Sequence, residues 1–505
     1  MQLIRPLFLT LLFLGYLTSG TAQDRFTGDR ECGTEGKSEW LVKYQNGEIP
    51  RVAKSNDVLY VPTRIVILGR NDGTGYIDPV KLLNSFELLN EDYEDQNIQF
   101  YLDDIVYRNR TSYYEHSNSQ TGAEMMIRYN EGGVINNYVV GDPAGNCGYY
   151  FPGSADAIAL GKNCLGALDR TWSHEMGHLL SLPHTFYGWE SVGEIDDIPE
   201  PAPATVRYRG EDVPVERVDG EGCEDAADGF CDTEPDYLMQ RWRCESNQEY
   251  RDSLMDPDSV MFAVPARNIM SYALDNCIEG FSDEQQAAML TNLTGRGLGN
   301  DSGADIEPAE GEDLTLVTPI NNATLDFSDN TVLNWSPVAG ADYYVVQLNR
   351  NSNNFNGEVT FSLFVTDTTL TLDDLDPDVR YFWRVRPVNR YRVDSDFGDQ
   401  VWRFRNGSFP TATIDAALDA AITLAPNPVR GGQELFVGGR DLGISGQLRY
   451  ELIDATGRVL QRRENVPVTS AGFTANLPTA GLAKGMYFLR IQLNEKLVTR
   501  RVVVY

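Results

Sequence analysis

Histidine is scarce in this chain, with four in 505 residues. Three of the four fall inside one short stretch, HEMGHLLSLPH, residues 174–184. Basic residues are also short: Lys and Arg total 42 against 74 Asp and Glu, a formal charge of -32. That balance excludes nucleic acid or an anionic membrane surface as the main partner, since both attract cations. Past the N-terminus no apolar run reaches the ~20 residues of a transmembrane helix. Cysteine is sparse too: there are seven, and all but Cys32 lie between residues 147 and 277. What remains is the composition of a folded protein, 42% hydrophobic and 23% charged. Its length exceeds what one core supports.

The N-terminus, MQLIRPLFLTLLFLGYLTSGTAQD, has Arg5 before an apolar run and small residues through Ala22. This reads as a secretory signal peptide over 1–22. Export fits disulfides. Cys147, Cys164, Cys223, Cys231, Cys244 and Cys277 can form three bridges; spacing leaves their connectivity open, with Cys147–Cys164 the local choice. Cys32 is left over.

Residues 23–58 are polar and read as an irregular pro-segment or N-terminal extension. Strand patterns at 59–70, 98–107 and 134–141 alternate with helical ones at 78–95 and 168–182, giving one α/β domain over 59–298. A glycine-rich acidic linker, 299–313, follows. Residues 314–406 show short alternating strands, with Tyr381 and Trp383 on one face and Phe382 on the other. They read as a β-sandwich with a binding or spacer role, since they hold no histidine or cysteine. Residues 422–505 read as a second small sandwich ending near the basic pair Arg500 and Arg501.

On a helix, His174 and His178 stack four residues apart on one face. Two imidazoles on successive turns can grip one metal ion, and Glu175 can reach the water that such a metal activates. His184 supplies a third ligand if the helix ends and the chain turns back through Ser181 and Leu182. Pro183 favours that ending. Three ligands leave one position open, as a catalytic zinc needs and a structural one does not. In RNIMSYAL, 267–274, Met270 reads as an apolar floor under the imidazoles, and Tyr272 as a hydroxyl for an oxyanion or as an ordinary packed tyrosine. Tyr187 and Trp189 read as cleft residues, and His116 as a surface residue. The acidic stretch EGCEDAADGFCDTEPD, 221–236, offers Asp228, Asp232 and Glu234 as oxygen ligands for calcium, with a solvated acidic loop as the alternative.

HEMGHLLSLPHTF and NIMSYA together resemble the metzincin clan of zinc endopeptidases. With CEDAADGFCDTEPD and DNCIEGFSDEQQAAML, the resemblance over 59–292 is to the pappalysin, or cytophagalysin, family. It implies an α/β metzincin-type zincin catalytic domain: a twisted sheet, a backing helix and an active-site helix above the cleft. A methionine turn and a C-terminal helix near 282–292 would lie below. By the same resemblance, His174, His178 and His184 bind zinc, Glu175 is the general base, and Met270 and Tyr272 sit at the turn and the reaction centre. Protein substrate would lie extended along the sheet edge. Relatives bind calcium, and a pro-segment cysteine, here Cys32, can hold the clan latent. Ser181 departs from the glycine usual at its position. Residues 314–406 resemble a fibronectin type III domain through Trp335 and Tyr381. Residues 422–505, with LAPNPVRGG, DATGRVL and LAKGMYFLRI, resemble the C-terminal sorting domain of the type IX secretion route of Bacteroidetes. The expected chain is thus a proteinase domain followed by two all-β sandwich domains. It is exported by that machinery and then released or held at the cell surface. The competing readings are an inactive extracellular binding or adhesion protein and a zinc hydrolase of another class, such as an amidase.

Overall fold

The computed structural model describes residues 32–34, 36–299, 309–326, 330–355, 359–373, 375–407, 416–454, 458–494 and 496–505. The expected signal peptide lies outside the described residues, as do 300–308 of the linker and 455–457 of the DATGRVL motif.

The α/β expectation holds for the first domain. Five strands form its sheet: β1 (Leu59–Gly69), β2 (Ile98–Asn109), β3 (Ile135–Val140), β4 (Gly148–Phe151) and β5 (Ala157–Gly161). Their order is β2-β1-β3-β5-β4, all parallel except the antiparallel pair β4–β5. Parallel strands are covered on both faces, and the residues divide accordingly. Val61, Ile65, Ile67 and Phe100 face helices α1 (Pro79–Asp92) and α2 (Thr171–Leu179). Val66, Leu68, Tyr138 and Val140 meet Met125 and Met126 of the helix Ser119–Tyr129. The start of α1 is set by Asp78, whose carboxylate accepts from the Val80 N–H at 2.7 Å, and by Pro79 in the first turn. The expected C-terminal helix is α3 (Asp283–Gly295), opened by a capping box of Ser282 and Gln285.

The three bridges are Cys147–Cys164, Cys223–Cys231 and Cys244–Cys277, and Cys32 is a buried free thiol. The N-terminal extension departs from the irregular segment expected of it. Glu39–Gln45 is a helix capped by Ser38, and it buries Leu41 and Tyr44. An apolar pair three residues apart behind a capping serine carries that helix, although its surroundings are polar.

The second domain is a sandwich of a three-stranded sheet (316–318, 330–335, 369–373) and a five-stranded one (323–324, 402–405, 380–388, 343–350, 361–365). Tyr381 and Trp383 are buried in its core, as the alternation implied, and Trp335 is buried with them. The last domain pairs sheets of three and four strands. The middle sandwich is more than a spacer. Leu102 N–H donates to Arg390 O at 2.9 Å, and Gln99 Nε2 to Tyr391 O at 2.5 Å, so residues 390–391 cover the outer edge of β2. Val345, Phe364, Val388 and Val393 belong to the same continuous core as the sheet of the first domain.

Candidate metal centre

Helix α2 carries HExxH and is clamped at both ends. At its start, the Asp92 carboxylate accepts from Ser173 Oγ at 2.6 Å and from Arg170 Nε at 2.9 Å. Trp172 Nε1 donates to Asn137 of β3 at 2.9 Å. At its end, Arg296 donates to Leu179 O at 2.7 Å and pairs with Asp156 at 2.8 Å.

The turn to the third histidine is a Schellman ending. Leu182 N–H donates to Gly177 O and Ser181 N–H to His178 O, each at 2.9 Å. Ser181 stands at φ 81°, in the left-handed region that glycine adopts with least strain. Its hydroxyl accepts from Asn292 Nδ2 of α3 at 2.7 Å, an anchor that a glycine would lack.

The turn brings three imidazoles to one point. His178 Nε2 lies 3.1 Å from His174 Nε2 and 3.2 Å from His184 Nε2. The outward Nδ1 atoms face Ile269 O at 2.8 Å, Leu182 O at 2.8 Å and Glu190 Oε1 at 3.4 Å. Carbonyls only accept, so Nδ1 carries the proton and Nε2 presents a lone pair. Three inward lone pairs repel one another unless a cation lies between them. Ligands ~2.0–2.1 Å from one ion in tetrahedral array stand ~3.3 Å apart, close to the observed spacing. Burial, with His184 nearby, pushes His174 down to about 3, and burial also holds His178 well below its usual value, so neither imidazole takes a second proton.

Met270 is fully buried beneath them. A Cβ on Gly177 would stand 2.5 Å from its sulfur, so the glycine inside HExxH makes room for the methionine. Tyr272 packs its ring on His184 at 5.0 Å and Phe186 at 4.6 Å. Glu175 is wholly buried, and Gly148 of β4 leaves space for it: a Cβ there would lie 2.8 Å from Glu175 Cγ. Burial pushes its carboxyl up to about 8.

The N-terminal segment closes the site. Cys32 bridges to Gly148 in parallel pairing, and Gly33 N–H donates to Gly148 O at 2.9 Å. Cys32 Sγ and one nitrogen from each of the three histidines all lie within 4.8 Å of one another. This donor set fits a cation that takes nitrogen and sulfur ligands. Thr34 was not foreseen. Its Oγ1 accepts from Tyr150 N–H of β4 at 2.8 Å and lies 3.2 Å from Glu175 Oε2, to which it donates. Glu190 was missed as well; a carboxylate six residues past the third histidine is a weak signal by itself.

Two expectations, for His116 and Trp189, need correction. His116 is buried, 2% exposed, with Nδ1 on Tyr113 O at 2.8 Å and Nε2 on the Tyr149 hydroxyl at 2.7 Å. It fills a niche that Gly122 leaves open, a tertiary fit invisible in the polar run around it. Trp189 is core, stacked on Tyr237 at 4.7 Å, while Tyr187 stays half-buried beneath Lys37 at 5.2 Å. The calcium trio divides. Asp228 is fully buried on Phe230 N–H and Thr233 Oγ1, near Lys37, and burial pushes it up to about 7. Asp232 caps α3 through Ser282 and Glu284 N–H and, with Glu234 and Asp236, lines a separate cavity.

Comparison with known proteins bears on both ends of the chain. Residues 423–505 match the secretion system C-terminal sorting domain. Over 252 residues the chain is 27% identical to an extracellular metalloprotease of Colletotrichum graminicola, covering 46% of this chain and 75% of that protein. It is 25% identical over 242 residues to extracellular metalloprotease 1 of Coccidioides posadasii, covering 45% and 72%. Among solved structures, the fn3 domain of human collagen alpha-1(XX) chain is 24% identical and covers 22% of this chain and 92% of its own, at a TM-score of 0.15, too low to carry weight. The N-terminal half is related to extracellular metalloproteases, and the sorting domain behind it marks the chain for export.

Proposed function

We propose that the protein is a secreted zinc endopeptidase, kept latent by its own N-terminal segment. The observation that carries this reading is the convergence of three Nε2 lone pairs beside a buried glutamate. His174, His178 and His184 would hold the zinc. Zinc, when bound, supplies Lewis acidity that makes water nucleophilic at neutral pH and polarises a carbonyl.

Glu175 takes the proton from the attacking water and returns it to the leaving amine. Its burial suits it to hold that proton between the two steps. Ile269 O, Leu182 O and Glu190 fix the tautomer and tilt of the imidazoles. Met270 keeps the floor beneath them apolar. The Tyr272 hydroxyl stabilises the oxyanion of the tetrahedral intermediate. The Cys32 thiol takes the place that water needs, so cleavage between residue 34 and the sheet frees the site. Calcium, which takes oxygen ligands, would in this reading fall to the acidic loop of Asp228, Asp232 and Glu234, where Asp228 keeps one buried oxygen without a partner.

The test is cleavage of a denatured protein by the pro-segment-trimmed enzyme beside Glu175→Ala. Wild type should cut internal bonds, a chelator should stop it, and added zinc should restore it. The variant should lose roughly 10²–10⁴-fold in rate. Two inert proteins, each with one zinc bound, would overturn the reading.

A further inference from the structure

The three imidazoles are not held alike. His174 and His178 share helix α2, and the outward Nδ1 of each meets a carbonyl at 2.8 Å. His184 stands beyond the helix end, and its Nδ1 reaches Glu190 only at 3.4 Å. Its place therefore depends more on the backbone that carries it, and the next residue, Thr185, anchors that backbone.

Thr185 is buried and bonded twice. Its N–H donates to Met270 O at 3.2 Å, and its Oγ1 donates to Asp236 Oδ2 at 2.7 Å. The other Asp236 oxygen accepts from the Leu238 N–H at 2.9 Å, which fixes the tilt of the carboxylate. Asp236 is itself only 3% exposed. Met270 is tied in turn: its N–H donates to Asn268 Oδ1 at 2.9 Å, and Asn268 Nδ2 donates to Gln285 of α3 at 2.8 Å. Three stretches of chain thus meet around one carboxylate: the run after the third histidine, the end of the acidic loop and the methionine turn. Thr185, Asp236 and Ser271, one from each, line a single cavity of about 390 Å³. Burying a carboxylate is costly unless its oxygens are bonded, which favours the arrangement that satisfies both.

Resting on the zinc reading above, we infer that Asp236 is a positioning residue for the metal site. Through the Thr185 hydroxyl it holds His184 where one ion can bind all three imidazoles. It touches neither metal nor substrate. Groups one step behind a ligand orient it, and their loss costs ~10–100-fold in metal affinity or activity. The end of the acidic loop is coupled to the zinc site in this way.

The experiment uses the full chain loaded with zinc and follows release of the metal to a coloured chelator. Thr185→Val keeps the shape of the side chain and removes its hydroxyl. Asp236→Asn keeps its size and removes its charge. Each should release zinc roughly tenfold faster than wild type, and Thr185→Ser should match wild type. The double variant should be no faster than the single ones, since both act through one bond. With cobalt in place of zinc, Thr185→Val should shift the visible absorption of the ion, a signature of ligand geometry that lost stability alone leaves in place. Val345→Ala, a change in the core between the domains, is the destabilised control. It should melt lower with zinc release unchanged. Wild-type release from Thr185→Val and Asp236→Asn, or effects that multiply in the double variant, overturns the inference while the zinc reading stands. A wild-type chain that takes up no zinc overturns both. If Asp236→Asn does not fold, Thr185→Val against Thr185→Ser decides the inference.

Discussion

The proteinase-like sheet has two edges, and they are covered in opposite ways. Along β2 the cover is a whole domain. Arg390 and Tyr391 accept backbone and side-chain bonds, the Tyr391 ring packs on Tyr101 and Tyr60 at 4.6 and 5.5 Å, and the two hydrophobic cores run together. Along β4 the cover is a few residues, Cys32 to Thr34, held by two backbone contacts and a hydroxyl. An open sheet edge invites pairing with other chains. The β2 edge is sealed by buried apolar area and the β4 edge by bonds that a single cut can release. The first cover serves stability, and on the proposed reading release of the second opens the site.

The comparison breaks most sharply at Val345, fully buried where the two cores meet. Val345→Asp should cost about 3–5 kcal/mol, because it buries an unpaired carboxylate. Sandwich and proteinase should then melt together in a urea titration. A proteinase transition that keeps its midpoint would show the two cores to be independent. Next comes the bridge Cys147–Cys164, which ties β4 to the loop before α2 and closes 17 residues. Replacing both cysteines by serine should cost about 3 kcal/mol. It should also lower activity more than Val345→Asp does at matched folded fraction, since it loosens the working edge. Smallest is Thr34→Val, which removes hydrogen bonds to Tyr150 and Glu175. It should weaken the latent cover by about 1 kcal/mol and shorten the activation lag about fivefold, with the melting point unchanged. A lag equal to wild type would mean that Cys32 alone holds the segment.

The histidine site was legible because its chemistry is local. Spacing of four and then six residues, with a proline to end the helix, fixes which imidazoles can meet, and Ser181 takes the left-handed turn that this spacing demands. The strands of the sheet were legible for a similar reason, as apolar runs need no distant partner to be recognised. Residues whose meaning comes from distant neighbours were misread or missed. His116 looks like a surface residue until Gly122 opens a niche for it. Trp189 looks like a cleft residue until Tyr237 stacks on it. Asp228 and Asp232 share one acidic loop, yet one is buried near Lys37 and the other caps a helix. The pairing of Cys32 with Gly148 crosses more than a hundred residues, and only the fold brings them together.

The cover over β2 also has a consequence in time. The bond from Gln99 to Tyr391 spans 292 residues. Contacts of such sequence separation form late, since a long loop must close before they return anything. During synthesis the proteinase sheet therefore waits, with one edge open, until the sandwich has emerged. The β2 edge can close only once residue 391 has been made, and the sorting domain is the part of the chain that follows.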